Sequence, residues 1–212
     1  MIYLSGVIRD DLVGHRPDLA VIISPYKCRT VDLLRTRWGA DNGRFAAPER
    51  FVLDEYLAWL AARAHAAPTC LFATAPDVVG DAVATWDMSA LVLESIRAIG
   101  LPAALVAQDG MESMNVEWDA FDVLFIGGTT AWKLSHHAKV LTRQAKAYGK
   151  WVHMGRVNSL LRLQTAAMWG CDSADGTFLA FGPDKNIPRL LGWLDALHAA
   201  PPFNFGQRPC SV

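Results

Sequence analysis

The sequence has no Cys-x-x-Cys pair, and its four cysteines, Cys28, Cys70, Cys171 and Cys210, stand far apart. That removes the usual sequence signs of a zinc site or a redox dithiol, so no metal is expected and the cysteines read as free thiols. The one adjacent histidine pair, His136-His137, makes a poor chelate, because neighbouring helical residues diverge by about 100°. No apolar run reaches the roughly 18 residues of a membrane span. The N-terminal Met-Ile-Tyr-Leu-Ser-Gly has neither a basic region nor a long apolar one, so the expectation is a cytoplasmic chain with no membrane partner. Charge is balanced as well, with 20 Lys and Arg against 21 Asp and Glu and a net charge of -1. A non-specific polyanion binder carries a basic excess, so any nucleic-acid contact has to come from a local patch. There is no Walker-type glycine loop, and clustered aspartates repel an anion unless a metal intervenes, which disfavours phosphate handling.

What is present is a large apolar fraction, 52% hydrophobic against 19% charged over 212 residues. That suffices for one substantial domain, expected over residues 1–200, with a loosely ordered Pro- and Gly-containing tail at 201–212. Short apolar runs at Ile2 to Leu4, Leu19 to Ile23, Thr69 to Thr74, Ala103 to Ala107, Asp122 to Ile126 and Trp151 to Met154 read as buried strands, with Phe178 to Phe181 as a last one. Helical spacing appears over Glu49 to His65, Ala82 to Ile99, Trp132 to Tyr148, a stretch capped by Asn158 and reaching Trp169, and Ile187 to Ala199. Tyr26 to Trp38 carries Lys27, Arg29, Arg35 and Arg37, a basic cluster best read as a solvated helical face.

Six or seven strands alternating with helices predict a parallel sheet with helical crossovers. The polar residues follow the same rhythm. Asp41, Asp77, Asp81, Gln108, Gly127-Gly128, Gly155 and Asp175 all fall on or beside a loop that leaves a strand. Such loops share one face of a barrel, whereas an open doubly wound sheet gathers fewer of them at one point. The predicted fold is therefore α/β, a reduced (β/α)8 TIM-type barrel in a single domain.

Within Gly170-Cys171-Asp172-Ser173-Ala174-Asp175-Gly176-Thr177, two carboxylates flank a flexible turn. An Asx-type turn explains a lone Asp-x-x-Asp-Gly. Several carboxylates with one carboxamide and glycine-flanked amides also suit glycosidic chemistry, in which a carboxylate meets positive charge at an anomeric carbon and a second group manages the leaving group.

The ordered series Asp41-Asn42-Gly43-Arg44-Phe45, Ala107-Gln108-Asp109-Gly110, Gly127-Gly128-Thr129, Met154-Gly155-Arg156 and Gly170 to Asp175 resembles the motifs of the tRNA-guanine transglycosylase superfamily. It is most similar to the short deazapurine DNA-modifying transglycosylase-like proteins of phages and bacteria, where a segment like Pro76 to Asp81 is also at home. The resemblance spans about Trp38 to Thr177. It implies a barrel enzyme that exchanges guanine in DNA for a free 7-deazaguanine-type base through a covalent sugar-enzyme intermediate, without a cofactor. Carried over by position, Asp175 is the nucleophile and Asp172 its structural companion, while Asp41 assists proton transfer. Asp77, or Asp81 in an alternative alignment, reads the purine edge. Gln108 and the Gly127 and Gly128 amides bond the base carbonyl, Gly155 lines the pocket, and Phe45 or Met154 stacks on the base.

Arg44, Lys133 and Arg156, with Arg29, Arg35, Arg37 and Arg162, are candidates for holding the DNA strand. The Cys/His zinc extension of the tRNA enzymes is absent from this sequence, which favours DNA over tRNA. Three alternatives stay open. They are a glycosylase that hydrolyses instead of exchanging, a noncatalytic deazapurine-binding or partner subunit, and an unrelated small-sugar hydrolase. A homodimer or partner proteins are compatible with the resemblance.

Overall fold

Short apolar runs ended by Gly, Pro, Asp or Ser form eight strands in the computed structural model, which describes residues 1–8, 12, 15–27 and 30–199. They are β1 (Ile2–Ser5), β2 (Leu19–Ile23), β3 (Trp38–Ala40), β4 (Cys70–Thr74), β5 (Ala103–Ala107), β6 (Val123–Ile126), β7 (Trp151–Met154) and β8 (Ser173–Asp175). Each strand pairs in parallel with its sequence neighbours, and β8 returns to β1 through Ile2↔Ser173, Tyr3↔Ala174 and Leu4↔Asp175, which closes the barrel. The fold is a (β/α)8 barrel. Its helices are α1 (Leu53–Ala61), α2 (Ala82–Ala98), α3 (Thr130–Lys133), α4 (His136–Ala147), α5 (Leu160–Trp169) and α6 (Pro183–Ala199). The reduction lies in the crossovers, not in the strand count. Among the described residues no helix separates β1 from β2 or β2 from β3, and two 3-10 turns, Met111–Ser113 and Trp118–Ala120, connect β5 to β6.

Successive strand residues point to opposite faces of the sheet, so a closed barrel has two apolar layers. The lumen is filled by Ile2, Leu4, Ala20, Phe72, Ala104, Val106, Val123 and Phe125. The larger layer lies between strands and helices and includes Tyr3, Val21, Trp38, Leu105, Leu124, Val152, Met154 and Ala174. Parallel strands buried on both faces are apolar throughout, which is why the runs show little alternation in the sequence.

Five differences from the sequence reading are local. Trp38–Ala40 is a strand although it contains Gly39, where a Cβ would come within 2.6 Å of the Phe72 ring that fills the lumen. Phe178–Ala180 is a 3-10 turn, not a strand, and Tyr26 to Trp38 forms turns with no helix among its described residues. The helix expected from Trp132 divides, since Ser135 caps the N-terminus of α4 by accepting from the Ala138 N–H at 3.4 Å. The cap of α5 is Ser159, one residue later than expected, whereas the Asn158 side chain donates to Thr177 Oγ1 at 3.3 Å. The expected tail at 201–212, together with Cys28, Arg29 and Cys210, lies outside the described residues.

Candidate active site

The C-terminal ends of the strands surround a cleft of about 530 Å³ open to solvent. From β3 it receives Asp41 and Asn42, with Phe45 on its rim; from β4 Thr74, Asp77 and Val79; from β5 Val106 and Gln108; from β6 Phe125, Gly127 and Gly128; from β7 Gly155 and Arg156; and from β8 Asp175. Convergence on one face follows from a closed parallel sheet, in which the segments leaving all eight strands emerge at the same end.

Asp-Asn-Gly is a turn by its own chemistry, and the turn aims two side chains. Asp41 Oδ1 accepts from the Gly43 N–H at 2.6 Å, while the Asp41 N–H continues the barrel ladder to Ile23 O at 2.8 Å. Burial pushes the Asp41 carboxyl up to about 6, reinforced by the neighbouring Asp175 and Asp77 charges and opposed by the Gly43 N–H. That value lies close to neutrality, where a carboxyl can both give and take a proton. Asn42 was legible only as a turn residue, yet it braces the site. Its backbone N–H donates to Thr74 Oγ1 at 2.9 Å, and its Nδ2 donates to Ala75 O at 2.9 Å and to Asp77 Oδ1 at 3.2 Å.

Asp77 takes a second bond from Gln108 Nε2 to its Oδ2, at 2.7 Å. Burial raises its carboxyl above the ordinary range, against the Asn42 and Gln108 donors and the Arg44 and Arg156 charges, which favour ionisation. Gln108 Oε1 accepts from the Gly80 N–H at 2.9 Å and the Gly128 N–H at 3.0 Å, which fixes the orientation of its amide. The Gly127 N–H is also occupied, donating to Ala107 O at 3.0 Å. The Gly128 amide therefore holds Gln108 and the Gly127 amide extends the barrel ladder, instead of both standing ready as donors to a base carbonyl.

Asp175 lies across the cleft from this pair of side chains. Its Oδ1 faces His153 Nε2 at 3.0 Å and accepts from the Arg156 N–H at 3.3 Å. Gly155 leaves the space beside it, since a Cβ there would meet the Phe125 ring at 2.7 Å and Asp175 Oδ1 at 3.3 Å. Arg156 adopts a φ of 58°, a left-handed conformation that costs a non-glycine residue free energy and marks a position held by its surroundings. The result is a guanidinium that donates to Gly128 O and lies 5.4 Å from the ring centre of Phe45. Phe45 itself is 64% exposed at the rim.

Several expected site residues do other work. Asp81 is exposed and caps α2, accepting from the Ala84 N–H at 2.9 Å, so Asp77 alone enters the cleft. Met154 alternates outward from β7 and is buried against the helices, which leaves Phe45 as the aromatic candidate for stacking. Lys133 is not a strand-holding surface cation. It is fully buried, its Nζ donates to Gly155 O at 2.6 Å, and burial together with the nearby Arg156 charge holds it down to about 8. Arg44 donates to the Asp77 carbonyl and Arg162 to the Arg156 carbonyl at 3.4 Å, and neither lines the cleft. Arg37 precedes β3 at the opposite end of the barrel and donates to Pro17 O at 3.4 Å; Arg35, in the same entry segment, is paired with Asp32 at 3.5 Å. Asp172 lies at that end too, bonded to Lys146 and to the Val152 N–H, in keeping with a structural role.

Among the described residues no group of three or more His, Cys, Asp or Glu could hold a metal ion, and no helix is long and apolar enough to cross a membrane. Cys70 and Cys171 are buried free thiols that burial pushes up to about 12.

No family model and no curated protein matches the chain. Among solved structures it is similar to one from Silicibacter pomeroyi assigned as a glycerophosphoryl diester phosphodiesterase, at 14% identity and a TM-score of 0.45, over 89% of this chain and 55% of that one. It is also similar to the EAL-domain protein YkuI of Bacillus subtilis, at 16% identity and a TM-score of 0.45, over 80% of this chain and 45% of that one. A GH113 β-1,4-mannanase aligns at 13% identity and a TM-score of 0.41, over 75% of this chain and 62% of that one. None of these three is a transglycosylase. The chain spans about half the length of the solved structures it matches.

Proposed function

We propose that the protein is an enzyme that exchanges guanine in DNA for a 7-deazaguanine-type base through an ester between Asp175 and the sugar. The observation that carries this reading is the presence in one cleft of Asp175, a second carboxyl at Asp41 poised at about 6, and the hydrogen-bonded pair Asp77 and Gln108. Guanine presents an N1–H and an exocyclic amino group side by side, and a carboxylate accepts from both. Adenine offers an acceptor at N1 and is disfavoured by the same oxygen atoms. Each Asp77 oxygen holds one donor from the protein and keeps a lone pair for the base, while the second Nε2 proton of Gln108 can meet a base acceptor. Phe45 and the guanidinium of Arg156 offer flat surfaces at the rim for a base turned out of its stack.

In the first half-reaction the Asp175 carboxylate gives an electron pair to C1′. The C1′–N9 pair leaves with guanine, which receives the Asp41 proton. In the second, the Asp41 carboxylate takes the N9 proton of the incoming base, N9 attacks C1′, and the ester opens to restore the Asp175 carboxylate. Protons and charges return to their starting places, so no cofactor is consumed. Water in place of the second base would give a glycosylase, and the same chemistry at C1′ would then end in hydrolysis.

The test is incubation with DNA carrying labelled guanine, with and without candidate 7-deazapurines, followed by mass analysis of released base and of the protein. Release that depends on an added deazapurine, with its incorporation, is the expected result. Release without incorporation selects the glycosylase, and no release under any condition overturns the catalytic reading in favour of a binding or partner role.

A further inference from the structure

His153 is fully buried in the barrel lumen, with ring centres of Phe72 at 4.6 Å and Phe125 at 4.5 Å. Its place follows from strand alternation. With Val152 and Met154 packed outward, Trp151 and His153 point inward from β7, and the parallel register sets His153 beside Ser173 of β8, two residues before Asp175. The side chains make one continuous line. Trp151 Nε1 donates to Ser173 Oγ at 2.9 Å, Ser173 Oγ lies 2.8 Å from His153 Nδ1, and His153 Nε2 lies 3.0 Å from Asp175 Oδ1.

Proton accounting fixes the sense of this line. Indole is a donor only, so Ser173 Oγ accepts from Trp151 and has one proton of its own to place. Placing it on His153 Nδ1 leaves the neutral imidazole with its proton on Nε2, directed at the carboxylate. An imidazolium would instead donate to Ser173 and leave the buried hydroxyl proton with no acceptor among the described residues. Both ring nitrogens are then engaged, so His153 has none left for a substrate. Asp175 Oδ1 receives two donors, His153 and the Arg156 N–H, while no hydrogen bond from the described residues reaches Oδ2.

We propose that His153 is a positioning residue: locked as the Nε2–H tautomer by Trp151 and Ser173, it fixes Oδ1 of Asp175 and leaves Oδ2 as the oxygen that attacks C1′. This rests on the base-exchange reading of the site. Oδ2 gives the electron pair that forms the C–O bond as the C1′–N9 pair departs with guanine and takes the Asp41 proton. Oδ1 becomes the ester carbonyl and still accepts the same Nε2–H, so the imidazole moves no proton at any step. The signal in the sequence is His153 and Ser173 at inward positions of adjacent strands, visible only once the register is known.

Two measurements on the full chain test it. Long-range nitrogen–proton correlation NMR, which needs no substrate, is expected to show His153 neutral with Nε2 protonated and Nδ1 bare; an Nδ1–H tautomer or a doubly protonated ring near neutral pH overturns the relay. Base exchange is then compared in His153→Phe, which fills the space without an N–H, and His153→Gln, which keeps a donor, with thermal unfolding as the control for folding. Partners that orient metal ligands cost about 10–100-fold when lost, and an orienting partner of a carboxylate nucleophile is expected to fall on the same scale. The Phe variant is expected to lose that much in kcat with the KM for the free base within about twofold, and the Gln variant to recover part of it. Wild-type kcat in the folded Phe variant, or equal losses in both variants, overturns the proposal. Should the wild-type protein release no guanine, the base-exchange reading fails and takes the role of Oδ2 with it, while the tautomer still reports on the relay separately.

Discussion

At the N-terminal ends of the strands, Asp18, Asp122 and Asp172 each face a cation at 2.7 Å, provided by Arg16, Arg97 and Lys146. At the C-terminal ends, Asp41, Asp77 and Asp175 share a cleft in which no lysine or arginine among the described residues comes within ion-pair distance of their carboxyl groups. The consequences run in opposite directions. The Arg16 hydrogen bonds hold the Asp18 carboxyl below its ordinary range, and the Arg97 pair with the Ala103 N–H does so for Asp122 against the effect of burial. Burial without a paired cation pushes Asp41 and Asp77 up. One residue type thus serves as a staple at one end of the barrel and, at the other, lines a cleft with no paired cation, and the partner decides which way its carboxyl shifts.

Substitution separates the two ends. Asp175→Asn should reduce base exchange by about 10³-fold or more, as removal of a nucleophile does, while leaving the fold intact; single-turnover assay and thermal unfolding read the two effects. Asp41→Asn should cost about 10²–10⁴-fold in exchange and at the same time stabilise the protein. The sign follows from the raised value. Folded Asp41 holds its proton up to about 6, against 3.8 ordinarily, so stability falls as pH rises between those values and stays lower above them. Removing the charge should recover roughly 1–3 kcal/mol at pH 7, measured by denaturant unfolding.

The same group predicts opposed pH limbs for the two half-reactions. In the proposed reaction guanine release would use protonated Asp41 and should slow as pH rises above about 6, whereas capture of the free base would use its carboxylate and should slow below about 6. Rapid-quench measurement of each half-reaction reads the two limbs.

At the opposite end the effects should be smaller and purely structural. Asp172→Ala removes the Lys146 pair and the acceptor of the Val152 N–H, at a cost of about 1–3 kcal/mol in unfolding free energy, with kcat within about twofold. Phe45→Ala should raise KM by about 3–10-fold with little change in kcat, because a stacking face is worth about 0.5–1.5 kcal/mol. A large loss of activity in Asp172→Ala with the fold intact would break the contrast between the two ends.

Most of this organisation was legible in the sequence because it depends on punctuation that precedes packing. Strand runs followed by Asp41, Asp77, Asp81, Gln108, Gly127-Gly128, Gly155 and Asp175 predicted a barrel with one polar face, and all of these but Asp81 do meet in one cleft. Asp172 and Asp175 were told apart by what the resemblance implies; in the fold one precedes and the other ends a strand that is only three residues long. What was hidden depends on which way a side chain turns. Met154 and His153 are neighbours on β7, and alternation buries the first against the helices while aiming the second at Asp175. Lys133 looks like a surface cation until α3 packs it beneath Gly155, and Asp81 looks like a second ligand until α2 uses it as a cap. Asn42 gave no sign beyond its turn, since its three partners come from β4 and the segment after it.

Mass analysis of the protein trapped with guanine-containing DNA in the absence of any incoming base tests the central claim most directly. The account predicts a sugar–DNA adduct that maps to Asp175 and vanishes in Asp175→Asn, in step with one equivalent of released guanine. Guanine release with the adduct on another residue, or undiminished release from the Asp175→Asn protein, would contradict it.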